Sequence, residues 1–176
     1  MPKLDVYPRI TISDDRDTHV QYIDFHVALR EGLVRRVSRV FLVAPSGEIY
    51  LQRRGPTLKI LPGHWDISAG GHVDEGDSYY RAAQKEVYEE LGIPDVPLTT
   101  LGKWYVAERF EGRLAPAWHM LYKAVHDGGD LVLDPYEVAE GAWFSPQELD
   151  ELVAGGGEPA APTLVANWRD CRTMLC

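Results

Sequence analysis

Apolar positions along this chain follow two rhythms. Alternating and β-rich runs appear first in "VSRVFLVA" (37–44) and "EIYLQRR" (48–54), joined by "PSG", which predicts a hairpin. "LPGHWDISAGGHV" (61–73) is a further strand-like stretch bounded by glycines. "LGKWYVAERF" (101–110) and "AWHMLYKAV" (117–125) predict a second antiparallel pair around "EGRLAP", and "AEGAWFS" (139–145) a last short strand. Upstream, the alternation in "HVQYIDFHVAL" (19–29) predicts a strand or hairpin added to the core.

The helical rhythm is clearest over 78–91, a segment without Gly or Pro. Gly92 fits the position just past its end, and Pro94 blocks continuation. "SPQELDELV" starts a second helix, with Ser145 as N-cap and Pro146 in the first turn. "TLVANWRDCRTML" (163–175) closes the chain as a third. Strands on both sides of a central helix, with further helices at the end, predict an α/β sandwich with a mixed sheet. Residues 1–36 read as an extension of the same domain and 37–176 as its body. The triple glycine in "AGGGEPAAP" lacks the Lys-Ser or Lys-Thr of a phosphate loop and reads as a linker.

On a wheel at about 100° per residue, Tyr80, Ala83, Val87 and Leu91 share one arc, which is expected to face the core. Glu86, Glu89 and Glu90 occupy the neighbouring arc. Their i,i+3 and i,i+4 spacings make them surface neighbours that repel by a few tenths of a kcal/mol per pair. Glu89 and Glu90 also sit at the negative end of the helix dipole. A divalent cation relieves both conflicts, since Mg²⁺ takes oxygen ligands from carboxylates and phosphates. Taken alone, the three glutamates also suit a solvated acidic face.

The surroundings decide between these readings. From Gly71 to Ile93 the residues run G-x5-D-x7-K-E-V-x-E-E-x-G-I. This resembles the Nudix box, G-x5-E-x7-R-E-U-x-E-E-x-G-U with U apolar. Gly71, Glu86, Val87, Glu89, Glu90, Gly92 and Ile93 match, and Asp77 and Lys85 are conservative departures. "GEIYLQRRG" and "LPGHWDISAGGHV" look like the branch that includes isopentenyl diphosphate isomerases and YfcD-like bacterial proteins. The likeness spans roughly 37–144.

The resemblance implies the Nudix α/β/α sandwich. It also implies Mg²⁺-dependent hydrolysis, with Mn²⁺ as a substitute, of a nucleoside diphosphate linked to another group. The family's ligands map onto Glu86, Glu89 and Glu90, with the Gly70 carbonyl completing the site. Glu137, then Glu140, is the expected loop acid acting as ligand or base. Arg53, Arg54 and Lys59 are candidates for holding the diphosphate, because cations bind phosphate and guanidinium does so bidentately. Adjacent strand residues face opposite ways, so one of the two arginines reaches the site, and Arg53 is the first choice. Asp77 and Lys85 are expected to brace the loop against the helix. The rival reading makes Asp77 the helix N-cap.

Two other functions compete. An isomerase needs a cysteine where Gly70 stands, and the two cysteines, Cys171 and Cys176, lie at the C-terminus. That leaves His64 and His72 as structural residues. A sensor that binds a nucleotide without cleaving it ordinarily loses the carboxylates kept here. Trp65, Trp104, Tyr105, Phe110 and Trp118 could stack on a base, but packing in core or sheet is the first reading for each. A net charge of −9 argues against nucleic-acid polymers and anionic membranes, not against small phosphorylated ligands. With no apolar run of spanning length, no signal-peptide core and no disulfide framework, a cytoplasmic setting is expected. The N-terminal extension is open to two readings, completion of a homodimer or cover for the site.

Overall fold

The computed structural model describes residues 8–110, 112–126 and 128–176. Residues 1–7 of the expected extension lie outside them. β1 (Arg9–Ser13) and β2 (His19–Asp24) form an antiparallel pair, followed by α1 (Phe25–Arg30). The alternation in 19–29 therefore predicts a strand correctly only up to Asp24. The Asp24 carboxylate accepts from the His26 and Val27 N–H groups and caps a short helix instead.

The sheet is organised around β3 (Arg35–Val43). It pairs antiparallel with β4 (Ile49–Arg54) through the expected tight turn, and with β6 (Ala69–His72). It runs parallel to β8 (Arg113–Val125), which pairs in turn with β7 (Thr99–Phe110). β5 (Trp65–Asp66) and β9 (Val138–Phe144) both join β4. The sheet is thus mixed, as its order of elements predicts.

Strand parity divides the core in two. Val40 and Leu42 of β3 and Tyr50 of β4 face α2 (Tyr79–Leu91), where Ala83, Val87 and Leu91 are fully buried. Phe41, Val43, Ile49 and Leu51 face the other way. They pack with Leu149 and Leu152 of α3 (Pro146–Val153) and with Leu164 and Trp168 of α4 (Pro162–Leu175). This is the α/β/α sandwich. A third, smaller cluster of Ile10, Ile12 and Ala28 seats the N-terminal hairpin and α1.

The helix termini follow their local chemistry. Ser145 caps α3 in a full capping box with Glu148, and Gly92 ends α2 at φ 72°, where a side chain would be strained. Two expectations for α2 are corrected. Its N-cap is Ser78, which accepts from the Arg81 N–H, and not Asp77. Tyr80, expected to face the core, is 42% exposed, with its ring packed edge-on against Tyr122. No helix of the described residues is long and apolar enough to cross a membrane.

Candidate active site

A cleft of about 1030 Å³ opens beside α2, lined among others by Glu86, Glu89, Glu90, Glu137, Arg54 and Lys59. Its acidic wall is built by backbone as much as by side chains. Glu90, only 6% exposed, accepts from the Gln52 side-chain amide (2.9 Å) and from the Gly70 N–H (3.1 Å). At Gly70 a Cβ would sit 2.8 Å from the Ser38 carbonyl oxygen, and at Gly71 it would collide with the Glu86 carboxylate. Gly70 lets β6 lie close against β3, and Gly71 leaves room for the Glu86 carboxylate.

The wall carries more negative charge than it can hold ionised. Burial, then the neighbouring Glu89 and Glu137, push the Glu86 carboxyl up to about 8. Burial, then Glu86 and Glu137, raise Glu90 well above the usual carboxylate range, against the pull of its Gly70 and Gln52 hydrogen bonds. Glu89 is exposed at the cleft's edge.

These are hard oxygen donors in a site whose fields favour a positive charge, which suits Mg²⁺. Among the described residues, no three His, Cys, Asp or Glu side chains yet converge as a ligand set.

Opposite charges form the floor. Arg39 and Asp66, 6% and 3% exposed, pair directly, and Arg54 approaches the second Asp66 oxygen at 3.3 Å. Burial alone would raise the Asp66 carboxyl, but Arg39 and Arg54 hold it below its ordinary value. Arg39 also donates to Asn167 (3.3 Å) and Thr163 (3.2 Å) of α4, and Asn167 meets His119. Burial, then Arg39, keeps the His119 imidazole neutral, with its pKa down at about 3. Sequence reasoning missed this floor. Its one signal is an arginine inside the apolar run "VSRVFLVA".

The first choice between the two arginines is overturned. Gln52 and Arg54 share the cleft side of β4, and the intervening Arg53 points away. There Arg53 pairs with Glu140 (2.9 Å) and Glu158 (3.6 Å) and lies over the Trp65 ring. That pairing also removes Glu140, while Glu137 lines the cleft.

The expected brace changes partner. Lys85 pairs with Asp74, and Asp77 instead pairs with Arg81 one turn along (2.9 Å). Asp74 lies on the loop just before the helix, so Lys85 still ties loop to helix. His72 contacts Arg35 (3.0 Å) and Phe25, and His64 meets the Pro62 carbonyl. Trp65 and Trp104 pack in the core, and Tyr105 sits edge-on to Trp118. None of these four lines the cleft, and the Phe110 side chain lies outside the described residues.

The NUDIX domain family matches residues 33–166. The chain belongs to the Nudix family. It is a Nudix hydrolase. A Nudix hydrolase of Pseudomonas aeruginosa is 37% identical over 120 residues, 68% of each chain. The Nudix hydrolase YfcD of Escherichia coli is 37% identical over 103 residues, 58% of this chain and 54% of that one. A Deinococcus radiodurans crystal structure superposes with a TM-score of 0.78 at 28% identity, covering 93% of this chain and 98% of that one. The Nudix resemblance of the 71–93 segment, including its YfcD-like branch, is borne out.

Proposed function

We propose that the chain cleaves a phosphoanhydride bond in a nucleoside diphosphate linked to another group, in an Mg²⁺-dependent reaction. The observation that carries this reading is the juxtaposition in one cleft of uncompensated buried carboxylates with Arg54 and Lys59. Glu86, Glu89 and Glu90 would hold the metal with the Gly70 carbonyl. Mg²⁺, or Mn²⁺ in its place, would neutralise charge on the phosphoryl oxygens and make a bound water more acidic.

The remaining work falls to the chain itself. Gln52 and the Gly70 N–H orient Glu90. Asp66 holds Arg54 from one side while the Ile60 carbonyl accepts from its Nε (3.0 Å), so its remaining donors face the cleft. Arg54 and Lys59 then grip the diphosphate. Glu137, whose charge acts on Glu86 and Glu90, would take the proton of the attacking water. We read 1–36 as part of the same domain, since β1 continues the sheet from β3. A cytoplasmic setting and a homodimer complete the proposal.

Incubating the protein and its Glu90→Gln variant with a panel of diphosphate compounds and Mg²⁺, followed by mass spectrometry, tests this. Cleavage at a phosphoanhydride that the variant loses by a factor on the order of 10² or more supports it. Binding without turnover would establish a sensor instead.

A further inference from the structure

Away from the glutamates, the same cleft has a second, basic end. Arg35 begins β3, where it contacts His72 at 3.0 Å and donates to the Ala115 carbonyl at 2.8 Å. Arg30 of α1, Arg109 of β7 and Arg113 of β8 join it as lining residues. These arginines gather in a chain whose net charge is −9. Arg30 is partly balanced by Glu31 (3.1 Å), and Arg109 donates to the Gly112 carbonyl (3.1 Å).

The register of β3 sets the spacing. Arg39 stands opposite Gly70, at the acidic wall, and Arg35 lies four residues back along the strand. At about 3.3 Å per residue the two ends are separated by roughly 13 Å. The Phe25 and His72 rings, with centroids 4.8 Å apart, lie beside Arg35 and give this end an aromatic wall.

We propose that the Arg30, Arg35, Arg109 and Arg113 end of the cleft binds a second anionic group of the substrate, a phosphomonoester separate from the diphosphate that is cut. This rests on the reading of the acidic wall as the diphosphate-cleaving site. The substrate class narrows accordingly to diphosphate-linked nucleotides that carry a further phosphate. Guanidinium groups suit that task, since each offers paired donors to phosphate oxygens.

The test is calorimetric titration of the full chain in EDTA with two matched pairs, NADP⁺ against NAD⁺ and coenzyme A against dephospho-coenzyme A. In at least one pair the phosphorylated member is expected to bind roughly tenfold tighter or more, the scale of one charged hydrogen bond. Arg109→Ala/Arg113→Ala is expected to erase that preference, and Arg109→Lys/Arg113→Lys to keep part of it, with folding of both checked by circular dichroism. Equal binding within both pairs, no binding to any member, or a preference that survives the double alanine variant would overturn the proposal. The two readings fail separately. Phosphate preference without cleavage in Mg²⁺ sinks the hydrolase and leaves this site standing, whereas cleavage of both members at equal KM does the reverse.

Discussion

The acidic wall and the floor of the cleft are both charged and both have buried members, yet they are built on opposite plans. On the floor, Arg39, Asp66 and Arg54 alternate in sign, and the Asp66 carboxyl is held below its ordinary pKa. On the wall, Glu86 and Glu90 face other carboxylates, and both are raised. The buried Arg39–Asp66 pair serves as scaffold, complete without a ligand, and it steadies Arg54, the arginine proposed to meet phosphate. An uncompensated cluster is unfinished, and under the proposed function a cation would complete it. The difference separates structural charge from functional charge within one cleft.

The largest effect is expected from breaking the floor. Asp66→Ala leaves Arg39 buried without its partner and should cost about 3–5 kcal/mol in chemical denaturation. If the variant loses less than about 1 kcal/mol, the floor is not the compensated scaffold described.

The wall should answer to pH in the opposite sense from an ordinary paired carboxylate. Glu86 titrates near 8 in the folded protein against 4.5 as its reference value. Between those values the folded state holds a proton that the unfolded chain has lost. Stability of the metal-free protein therefore falls as pH rises through that window and levels off above about 8. The decline is on the order of a few kcal/mol. Mg²⁺ should remove most of it, so the rise in Tm on adding Mg²⁺ should be larger at pH 8 than at pH 6. A Tm that climbs with pH in EDTA, or an Mg²⁺ effect independent of pH, would contradict the contrast.

Substrate handling offers a sharper cut, since Arg53 and Arg54 are neighbours on opposite sides of β4. Arg54→Ala should lower kcat/KM by roughly 10–100-fold, as expected for a lost charged contact to phosphate. Arg53→Ala should stay within about twofold, because its partners Glu140 and Glu158 lie outside the cleft. Steady-state kinetics on any cleaved substrate separates the two, and equal losses would mean that strand parity does not decide which arginine meets phosphate.

How far the sequence speaks depends on how local the chemistry is. Glu86, Glu89 and Glu90 lie on one helix, so spacing alone places them together, and the glycines beside them are near in sequence. The sandwich is legible for the same reason, since its strands and helices announce themselves in periods of two and 3.6. The floor is not, because Arg39 meets Asp66 across 27 positions and Asn167 across 128. Nothing local in β3 says what a buried arginine will find. The choice between Arg53 and Arg54 failed for a related reason: parity was known, but the side facing the cleft is fixed only by Gln52 meeting Glu90, 38 residues away. At α1 the Asp24 side chain decides, and alternation cannot report a cap.

The smallest effect concerns the brace. Lys85 is tied to Asp74, and that hydrogen bond raises its pKa, with Asp74, Glu89 and Glu86 adding charge. With the lysine 40% exposed, the pair is screened, and Lys85→Ala should cost about 1 kcal/mol or less. Its effect on kcat should exceed its effect on stability, because the pair fixes the loop that leads from β6 into α2, the helix of the proposed metal ligands. Asp77 pairs only with Arg81, whose side chain is 79% exposed, so Asp77→Ala should cost less than about 0.5 kcal/mol. A double-mutant cycle decides it. Coupling of Lys85 to Asp74, with none to Asp77, would show that the brace has moved three residues upstream and kept its function. Coupling to Asp77 would restore the arrangement that the Nudix pattern implies.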